Sequence, residues 1–391
     1  MLDEKIVSFV LKHLEEYRAT SEKFQELLLS NLVMVGEIPA PTFNEENRIR
    51  FLHDRFTEIG LTNISTDEAG NALGILSGTE GKRNILLVAH TDGVFAETVD
   101  HTVRVLPDLV SGPGLGDNAL GVAVVATIPR LLEHIGIELK SNLVLMGASR
   151  SLGRGNVEGL RFFVENKKMA IDAAVCVEGV EFGRLSHYSS GMLRGEIICR
   201  VPEEYDWNRY GIGGAVFAMN EVINAIAEIS LPMRPRTTIN LGNIEGGTSY
   251  TESAKRTDLR FEIRSESAET VGQIDRQLSD IVTEIASRSG ARIEFNVVAR
   301  SRPVNLSYSH PLPKIATRIM QSFGIQPRIQ PSIAELAVLL NAQIPTLTIG
   351  ISRAENLNDL DEKLMISPMF QGLAQLLGII VAIDMGCCDE Y

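Results

Sequence analysis

The sequence has little of several features that mark secreted, membrane or nucleic-acid-binding proteins. Four cysteines in 391 residues are too few for a disulfide framework. No run of 18 consecutive apolar residues occurs, so no transmembrane helix is expected. With 37 basic against 50 acidic residues, the net charge of −13 does not provide the positive face that nucleic acid or an anionic membrane requires. We therefore expect no nucleic-acid partner, no membrane partner and a cytoplasmic location.

The remaining composition is that of an ordinary globular protein. Hydrophobic residues make up 44% of the chain and charged residues 22%. A chain of 391 residues is longer than one hydrophobic core usually supports. The composition therefore predicts about two domains.

The most informative stretch runs from Asn84 to Gly121. An apolar run, residues 85–89, is typical of a strand buried on both faces. His90 and Asp92 follow at its carboxyl end, and a Gly/Pro-rich turn leads to Asp117. A histidine and carboxylates at strand ends and loops are the ligands that a metal site in an open α/β sheet requires. A single such histidine is more often a buried core residue, but the two phrases HTD and GPGLGDNALG together favour the metal site.

Strand-like and helical patterns alternate along most of the chain. Buried apolar runs at residues 141–149 and 173–177 are separated by a helical segment, which predicts a mostly parallel sheet with helices on both faces. Between about residues 192 and 300 the order becomes β-α-β-β-α-β, which is that of a ferredoxin-like α+β unit. We therefore predict an α/β domain made of residues 1–191 and 304–391, with residues 192–303 inserted as a second domain.

Several phrases in this order resemble a known family. They are LLVAHTDGV, GPGLGDNALGVAVV, LVLMGASRSLGRGN, AAVCVEG, TTINLGNIEGGTSY and IPTLTIGI. The chain resembles the co-catalytic zinc metallopeptidases that include acetylornithine deacetylase, succinyl-diaminopimelate desuccinylase, carboxypeptidase G and tripeptidase T. The resemblance implies an amide hydrolase with two zinc ions, and a lid or dimerisation domain inserted in the catalytic domain.

Four residues of the family's metal site are kept in type. By this resemblance, His90 is the histidine ligand of the first metal, and Asp92 is the carboxylate that orients it. Asp117 matches the aspartate that bridges the two metals. Glu178 matches the last acidic ligand of the first metal. The sequence therefore retains a metal set of His90, Asp117 and Glu178.

The other functional positions are changed. Members read EEGLG where this chain reads SRSLG at residues 149–153. The resemblance therefore places Ser149 at the general-base position and Arg150 at a ligand position of the second metal. Asn358 stands for the C-terminal histidine ligand, and Tyr205 stands for the histidine of the lid.

The chemistry of these changes argues against an intact dinuclear site. A hydroxyl such as that of Ser149 is not a base at neutral pH, and an arginine carries only donors and a permanent charge. We therefore expect at most one zinc ion per chain, or none. We also expect the Arg150 guanidinium to lie within hydrogen-bond reach of Asp117, where the second zinc would be. The alternative is that Arg150 faces solvent.

Three functions remain open. The first is a zinc metallopeptidase-like protein whose degenerate site has little or no hydrolytic activity and serves binding or regulation. The second is an active single-metal hydrolase, an aminopeptidase or deacylase of small peptides or N-acyl amino acids, that uses His90, Asp117 and Glu178. The third is a structural or regulatory oligomer. Metal content and activity on dipeptides and N-acetyl amino acids separate them.

The resemblance implies two further features. The family has a cis peptide after the bridging aspartate, so we expect a cis bond between Asp117 and Asn118. The family commonly dimerises through the inserted domain, so we expect a homodimer in which the small and apolar residues of a helix at residues 214–229 contribute a packed face. Glu335 lies where members often carry a short Asp-containing phrase, and its role stays open.

Overall fold

The computed structural model describes residues 3–202 and 213–389, which form two compact units. One unit consists of Met1–Tyr188 and Asn305–Tyr391, and the other of Ser189–Val304. The sequence analysis predicts boundaries after residues 191 and 303. Tyr205, the expected lid residue, lies outside the described residues.

The larger unit is built on a mixed sheet whose centre is parallel. The order is β1-β2-β6-β3-β7-β16-β8-β15. Neighbours in the group β6-β3-β7-β16 pair in parallel, whereas β1, β2 and β8 add antiparallel pairings. The strands of this sheet are β1 (Thr62–Thr66), β2 (Ala72–Leu76), β3 (Asn84–His90), β6 (Asn142–Ala148), β7 (Ala173–Glu178), β8 (Arg184–Ser186), β15 (Arg328–Ile329) and β16 (Thr346–Gly350).

Helices and a second, small sheet complete this unit. The small sheet has the order β17-β18-β5-β4. Its strands are β4 (Arg104–Val105), β5 (Leu109–Ser111), β17 (Ala354–Glu355) and β18 (Lys363–Met365). The helices are α1 (Glu4–Lys23), α2 (Gln25–Gly36), α3 (Glu46–Ile59), α4 (Leu120–Ile135), α5 (Glu158–Asn166), α8 (Pro311–Ser322), α9 (Glu335–Asn341) and α10 (Ser367–Asp384).

The central strands are apolar because both faces of the sheet are covered. Every residue of β3 from Ile85 to His90 is buried, and β6 is buried from Leu143 to Ala148. Strands without a solvent face have no reason to alternate apolar with polar residues, which explains their continuous apolar runs. The predicted fold class, a mostly parallel mixed sheet with helices and an inserted α+β domain, is confirmed.

Two helical segments are apolar and long enough to cross a membrane. They are Leu115–Ile135 and Ser367–Asp384, and 89% and 83% of their apolar windows are buried inside the protein. Core helices of globular proteins have the same length and composition. Burial at this level makes packing in the core the simplest account of both segments.

The smaller unit has an antiparallel sheet of order β11-β12-β10-β13. In β12, alternate residues from Thr257 to Ser265 are buried, which is the period expected of a strand with one covered face. The elements are β10 (Gly191–Arg200), α6 (Ala215–Ala227), β11 (Thr237–Gly246), β12 (Arg256–Ser265), α7 (Ala268–Ser289) and β13 (Arg292–Ser301). Their order along the chain is the β-α-β-β-α-β order expected from the sequence. Short strands β9 (Tyr188–Ser189) and β14 (Val304–Asn305) lie where the chain passes between the units.

Candidate metal centre

Two parallel strands place a histidine and a glutamate at the same edge of the sheet. His90 is the last residue of β3, and Glu178 is the last residue of β7. These strands are neighbours, with Val88 opposite Cys176. Because the carboxyl ends of parallel strands meet at one edge, the His90 ring and the Glu178 carboxylate come close, with Nε2 and Oε2 separated by 3.9 Å.

Asp117 reaches the same place from the turn that precedes α4. Its Oδ1 lies 3.0 Å from His90 Nε2, and its side chain is 27% exposed, compared with 4% for His90. The bond between Asp117 and Asn118 is cis, as the sequence analysis predicts. Ligand atoms of His90, Asp117 and Glu178 lie within 4.8 Å of one another. The structure therefore brings the three expected ligands together, with Asp117 on the solvent side.

The amide of Asn118 fastens this turn to the end of β7. Its Nδ2 donates to the carbonyl of Val177 at 2.8 Å, and its Oδ1 accepts from the N–H of Gly179 at 2.8 Å. These two residues flank Glu178, so one buried side chain fixes the position of Asp117 relative to Glu178. A Cβ at Gly121 would lie 2.3 Å from Asn118 Oδ1, which explains the glycine of the GDNALG phrase.

Asp92 holds the other side of the histidine ring. His90 Nδ1 lies 3.1 Å from the backbone oxygen of Asp92 and 3.3 Å from its Oδ1. The Asp92 Oδ2 accepts from Thr42 Oγ1 at 2.8 Å and from the N–H of Leu152 at 2.7 Å. Fixing Nδ1 in this way leaves Nε2 as the nitrogen that faces Asp117 and Glu178, which is how metal-binding histidines are commonly oriented.

The crowding of carboxylates changes their proton affinity. Burial alone would lower the pKa of His90, but its hydrogen bonds to Asp117 and Asp92 outweigh burial and hold that pKa well above the usual range. Burial raises the pKa of Glu178 to about 7, against the effect of the nearby His90, and the charges of Asp117 and Glu335 add to the rise. Burial also raises the pKa of Asp92, but hydrogen bonding to His90 reverses the effect and the net shift is downward. Without a cation, the site must therefore keep protons to limit repulsion.

One divalent cation fits this donor set. Imidazole nitrogen and carboxylate oxygen are both zinc ligands, and ligand atoms at about 2.1 Å in tetrahedral geometry are roughly 3.4 Å apart. The separations of 3.0 and 3.9 Å from His90 Nε2 bracket that value. His90, Asp117 and Glu178 are the residues that would hold such an ion, and the ion would polarise a bound carbonyl or water.

Sequence comparisons match two regions of the chain to peptidase families. Residues 71–149, which include His90 and Asp117, match peptidase family M28. Residues 208–289 match the peptidase dimerisation domain. No curated protein sequence gives a significant match.

Solved peptidase structures match almost the entire chain. A tripeptidase from Staphylococcus aureus is 20% identical, with a TM-score of 0.71, and the match covers 92% of this chain and 99% of that one. The dipeptidase Dug1p from Saccharomyces cerevisiae is 12% identical, with a TM-score of 0.79 and coverage of 95% and 99%. The chain has the fold of these peptidases. The resemblance drawn from the sequence is confirmed at this level.

Among these similar structures is a dinuclear metal-binding peptidase of the M20 family from Bacillus subtilis. It is 14% identical, with a TM-score of 0.64 and coverage of 93% of this chain and 99% of that one. That protein binds two metals, whereas the described residues of this chain bring together one group of three candidate ligands, His90, Asp117 and Glu178.

Arg150 does not lie where the charge argument predicts. Its Nη1 forms an ion pair with Glu158 Oε1 at 2.7 Å, and its guanidinium carbon lies 5.9 Å from the centre of the Phe43 ring. The side chain is 34% exposed. The prediction of contact with Asp117 is therefore wrong, and the alternative of a solvent-facing arginine is right. The physical reason is that an exposed ion pair over an aromatic ring avoids the desolvation that a buried guanidinium would incur.

Ser149 is buried, and its hydroxyl is already used. Its Oγ donates to the carbonyl of Ala69 at 2.7 Å and lies 3.3 Å from Asn71 Oδ1. The backbone of Arg150 is fixed nearby, because its N–H donates to the buried Glu45 at 2.8 Å. Ser149 is therefore not a general base. Its hydroxyl group connects the end of β6 to Ala69 and Asn71.

Asn358 lies in the exposed loop between β17 and β18, which also carries a buried acid. The Asn358 N–H lies 3.3 Å from Glu362 Oε2, and Glu362 Oε1 accepts from the N–H of Gly116 at 2.5 Å. Burial raises the pKa of Glu362 to about 7, although these two N–H groups oppose the rise. The sequence analysis misses the roles of Asn118 and Glu362. The only local signals are an amide directly after the aspartate and an acid directly before the short strand β18.

Replacing Asn118 by alanine should loosen the metal centre. The change leaves the Val177 carbonyl and the Gly179 N–H without their partner, so we expect a loss of roughly 2–4 kcal/mol of unfolding free energy. Zinc affinity should fall as well, because Asp117 is no longer fixed beside Glu178. Chemical unfolding and calorimetric zinc titration measure both effects. Asn166→Ala is the matched control, since that exposed amide bonds only within its own helix; equal losses in both variants would contradict the role of Asn118.

Glu362 should make the metal-free protein less stable as the pH rises. Its pKa is about 7 in the folded protein and about 4.5 in the unfolded chain, so the folded state binds this proton more tightly. The proton on Glu362 stabilises the folded state fully at acidic pH. This contribution, at most roughly 3 kcal/mol of unfolding free energy, is lost as the pH rises from about 4.5 to 7. Urea unfolding in chelator should give a smaller pH slope for Glu362→Gln. The exposed Glu355→Gln serves as the control; an unchanged slope in Glu362→Gln would show that this carboxyl is not protonated on folding.

Proposed function

We propose that the protein is a metallopeptidase-like protein that holds one zinc ion at His90, Asp117 and Glu178 and has little or no amide hydrolysis. The observation that carries this proposal is the group of three ligands at the ends of β3 and β7 without a second set beside it among the described residues. Hydrolysis needs a base next to the activated water. At the position expected for that base, the Ser149 hydroxyl is bonded to a backbone carbonyl.

The Arg150 position supports a single ion as well. The guanidinium pairs with Glu158 at the surface and supplies no ligand to a metal. Asn358 is exposed, and its backbone N–H, not its side chain, is connected to the site through Glu362. In the resembled family these two positions bind the second metal. In this chain Arg150 pairs with Glu158, and Asn358 contacts Glu362 through its backbone N–H.

An active single-metal hydrolase is the second candidate. Two features favour it: Asp117 is partly exposed, so a substrate can approach, and the Glu362 carboxyl, which is outside the group of three ligands, has a pKa of about 7. Acids with such pKa values are suited to general acid–base chemistry at neutral pH. Substrates in this case are small peptides, in line with the names of the tripeptidase and dipeptidase neighbours, or N-acyl amino acids, as the resemblance drawn from the sequence implies.

Metal content and activity should distinguish the two candidates. We expect one zinc per chain by elemental analysis of protein purified without chelator, and less than a tenth of an ion in His90→Ala. We also expect no turnover of a panel of dipeptides and N-acetyl amino acids. One zinc with clear turnover favours the single-metal hydrolase, and two zinc ions per chain would show that the ligand assignment is incomplete.

We further propose that the protein is a homodimer formed through the inserted domain. The matching family description for residues 208–289 is a peptidase dimerisation domain. On the described part of this unit, β11 is an edge strand with exposed Leu241 and Ile244, and α6 exposes Val216 and Phe217. An edge strand with exposed apolar side chains is a common site of pairing with another chain.

Light scattering at micromolar concentration should give twice the chain mass of 42.9 kDa. The variant Ile244→Glu combined with Phe217→Glu places charge on the proposed interface, and we expect it to be monomeric with an unchanged circular dichroism spectrum. The exposed Met233→Glu, at 89% exposure, is the control. A wild-type monomer would refute the dimer.

A further inference from the structure

A cavity of about 430 Å³ lies between three helices of the larger unit, α2, α3 and α4. Small-molecule sites in proteins have volumes of roughly 300–1,000 Å³, so this cavity is large enough for a ligand. Among its lining residues, Glu58, Glu133 and His134 are exposed and leave the cavity open to solvent. Asn31 and Ala126 are buried and form its inner wall. The residues that line it are separate from the three candidate metal ligands.

The buried Asn31 carries an acceptor without a partner in the described part of the chain. The residue is 2% exposed, and its Oδ1 forms no hydrogen bond there. Its Nδ2 donates to Thr127 Oγ1 at 3.0 Å. The Thr127 hydroxyl has a single hydrogen, which it donates to the carbonyl of Ala123 at 2.7 Å, so it accepts from Asn31. This arrangement fixes the orientation of the amide and leaves its oxygen unpaired.

Arg55 supplies an unpaired donor in the lining of the same cavity. Its guanidinium is held in place, because Nη1 donates to Glu58 Oε2 at 2.6 Å and Nη2 donates to Met34 Sδ at 3.3 Å. The guanidinium carbon also lies 5.3 Å from the centre of the Phe51 ring. Its Nε is buried and has no hydrogen-bond partner among the described residues. Buried groups without partners are unfavourable, so an acceptor and a donor left unpaired in one lining indicate a ligand that bonds to both.

The rest of the lining is largely apolar, and its charges balance. Each arginine that lines the cavity is paired with a glutamate that also lines it, Arg55 with Glu58 at 2.6 Å and Arg130 with Glu133 at 2.8 Å. Because both cations are already paired, and because an apolar wall does not stabilise charge, the lining favours an uncharged ligand. The apolar part of the wall consists of Phe24, Leu27, Ile59 and Ala126.

We propose that this cavity is a binding site for a small uncharged amide with an apolar body. An amide carries both groups that the lining requires, an N–H that donates to Asn31 Oδ1 and a carbonyl that accepts from Arg55 Nε. The apolar body packs against Phe24, Leu27 and Ile59. Binding here requires no metal, because the candidate metal ligands are outside the lining.

Benzamide is a suitable probe, because it joins one amide to an aromatic ring. Ligand-detected NMR follows its titration into the whole chain in the presence of chelator, which prevents its carbonyl from binding a metal ion. We expect saturable binding with a Kd of about 1 mM, a value typical of so small a ligand. Benzoate lacks the donor and carries a charge, and toluene lacks both polar groups. Both should bind roughly tenfold more weakly than benzamide.

Two variants show whether benzamide binds in this cavity. Arg55→Lys keeps the positive charge and removes the Nε donor, so we expect binding to be weaker by about tenfold. Arg18→Lys is the matched control, since Arg18 forms a similar ion pair with Glu15 outside the cavity. Leu27→Trp places a larger ring in the cavity and should abolish binding. Leu27 is only half-buried, so the circular dichroism spectrum of this variant should match that of wild type.

Four results would overturn the proposal. Wild type without saturable binding would show that the cavity takes no amide. Unchanged binding in Leu27→Trp would place the ligand elsewhere, and unchanged binding in Arg55→Lys would remove the role of the unpaired donor. Benzoate or toluene bound as tightly as benzamide would refute selection of an uncharged amide. Weaker binding in Arg55→Lys and Leu27→Trp, with Arg18→Lys equal to wild type, would support it.

Discussion

Negative charge gathered around one imidazole is the constraint on which the rest of the site depends. Asp92 contacts one side of the His90 ring, and Asp117 and Glu178 lie on the other. The buried Glu362 accepts from the N–H of Gly116, next to Asp117 in the chain. Compensation from basic residues is limited. Arg48 is buried near Asp92 but bonds to backbone carbonyls, and Arg184 acts on Glu178 while paired with Glu181. A divalent cation, or several bound protons, must balance the remaining charge.

The fold supplies the geometry that concentrates this charge. Parallel strands β3 and β7 end at one edge of the sheet, and their terminal residues are the histidine and the glutamate. The Asn118 amide holds the turn before α4 against the end of β7. It forms hydrogen bonds with the backbone of Val177 and Gly179, the two residues that flank Glu178. Glu362 fixes the same turn from the small sheet, through the N–H of Gly116. These side-chain contacts restrain the turn that carries Asp117, whereas His90 and Glu178 are fixed as the last residues of strands.

Features encoded by short stretches of sequence could be predicted. The apolar run of β3, the residues at its end and the GPGLGDN turn with its cis bond are all local, and the structure has them. Contacts between distant segments could not be read in the same way. Asn118 and its partners are 59 and 61 residues apart, and Gly116 and Glu362 are 246 residues apart. The Arg150 prediction was wrong for a related reason, since residue type gives the charge of a side chain but not the direction in which it points.

The positions that differ from the resembled family and those that agree with it have different structural roles. Ser149 and Arg150 now serve packing at the end of β6 and an ion pair at the surface, so these positions no longer add charge to the site. His90, Asp117 and Glu178 remain buried or half-buried and in mutual contact. The proposed cation would offset the repulsion between these neighbouring acids.

The central claim is that one ion lies among these residues, and anomalous diffraction from zinc-loaded crystals tests it most directly. The account predicts one anomalous peak per chain, within about 2.2 Å of His90 Nε2 and of oxygens of Asp117 and Glu178. Two peaks about 3.5 Å apart, or a zinc-saturated crystal with no peak at these residues, would contradict it.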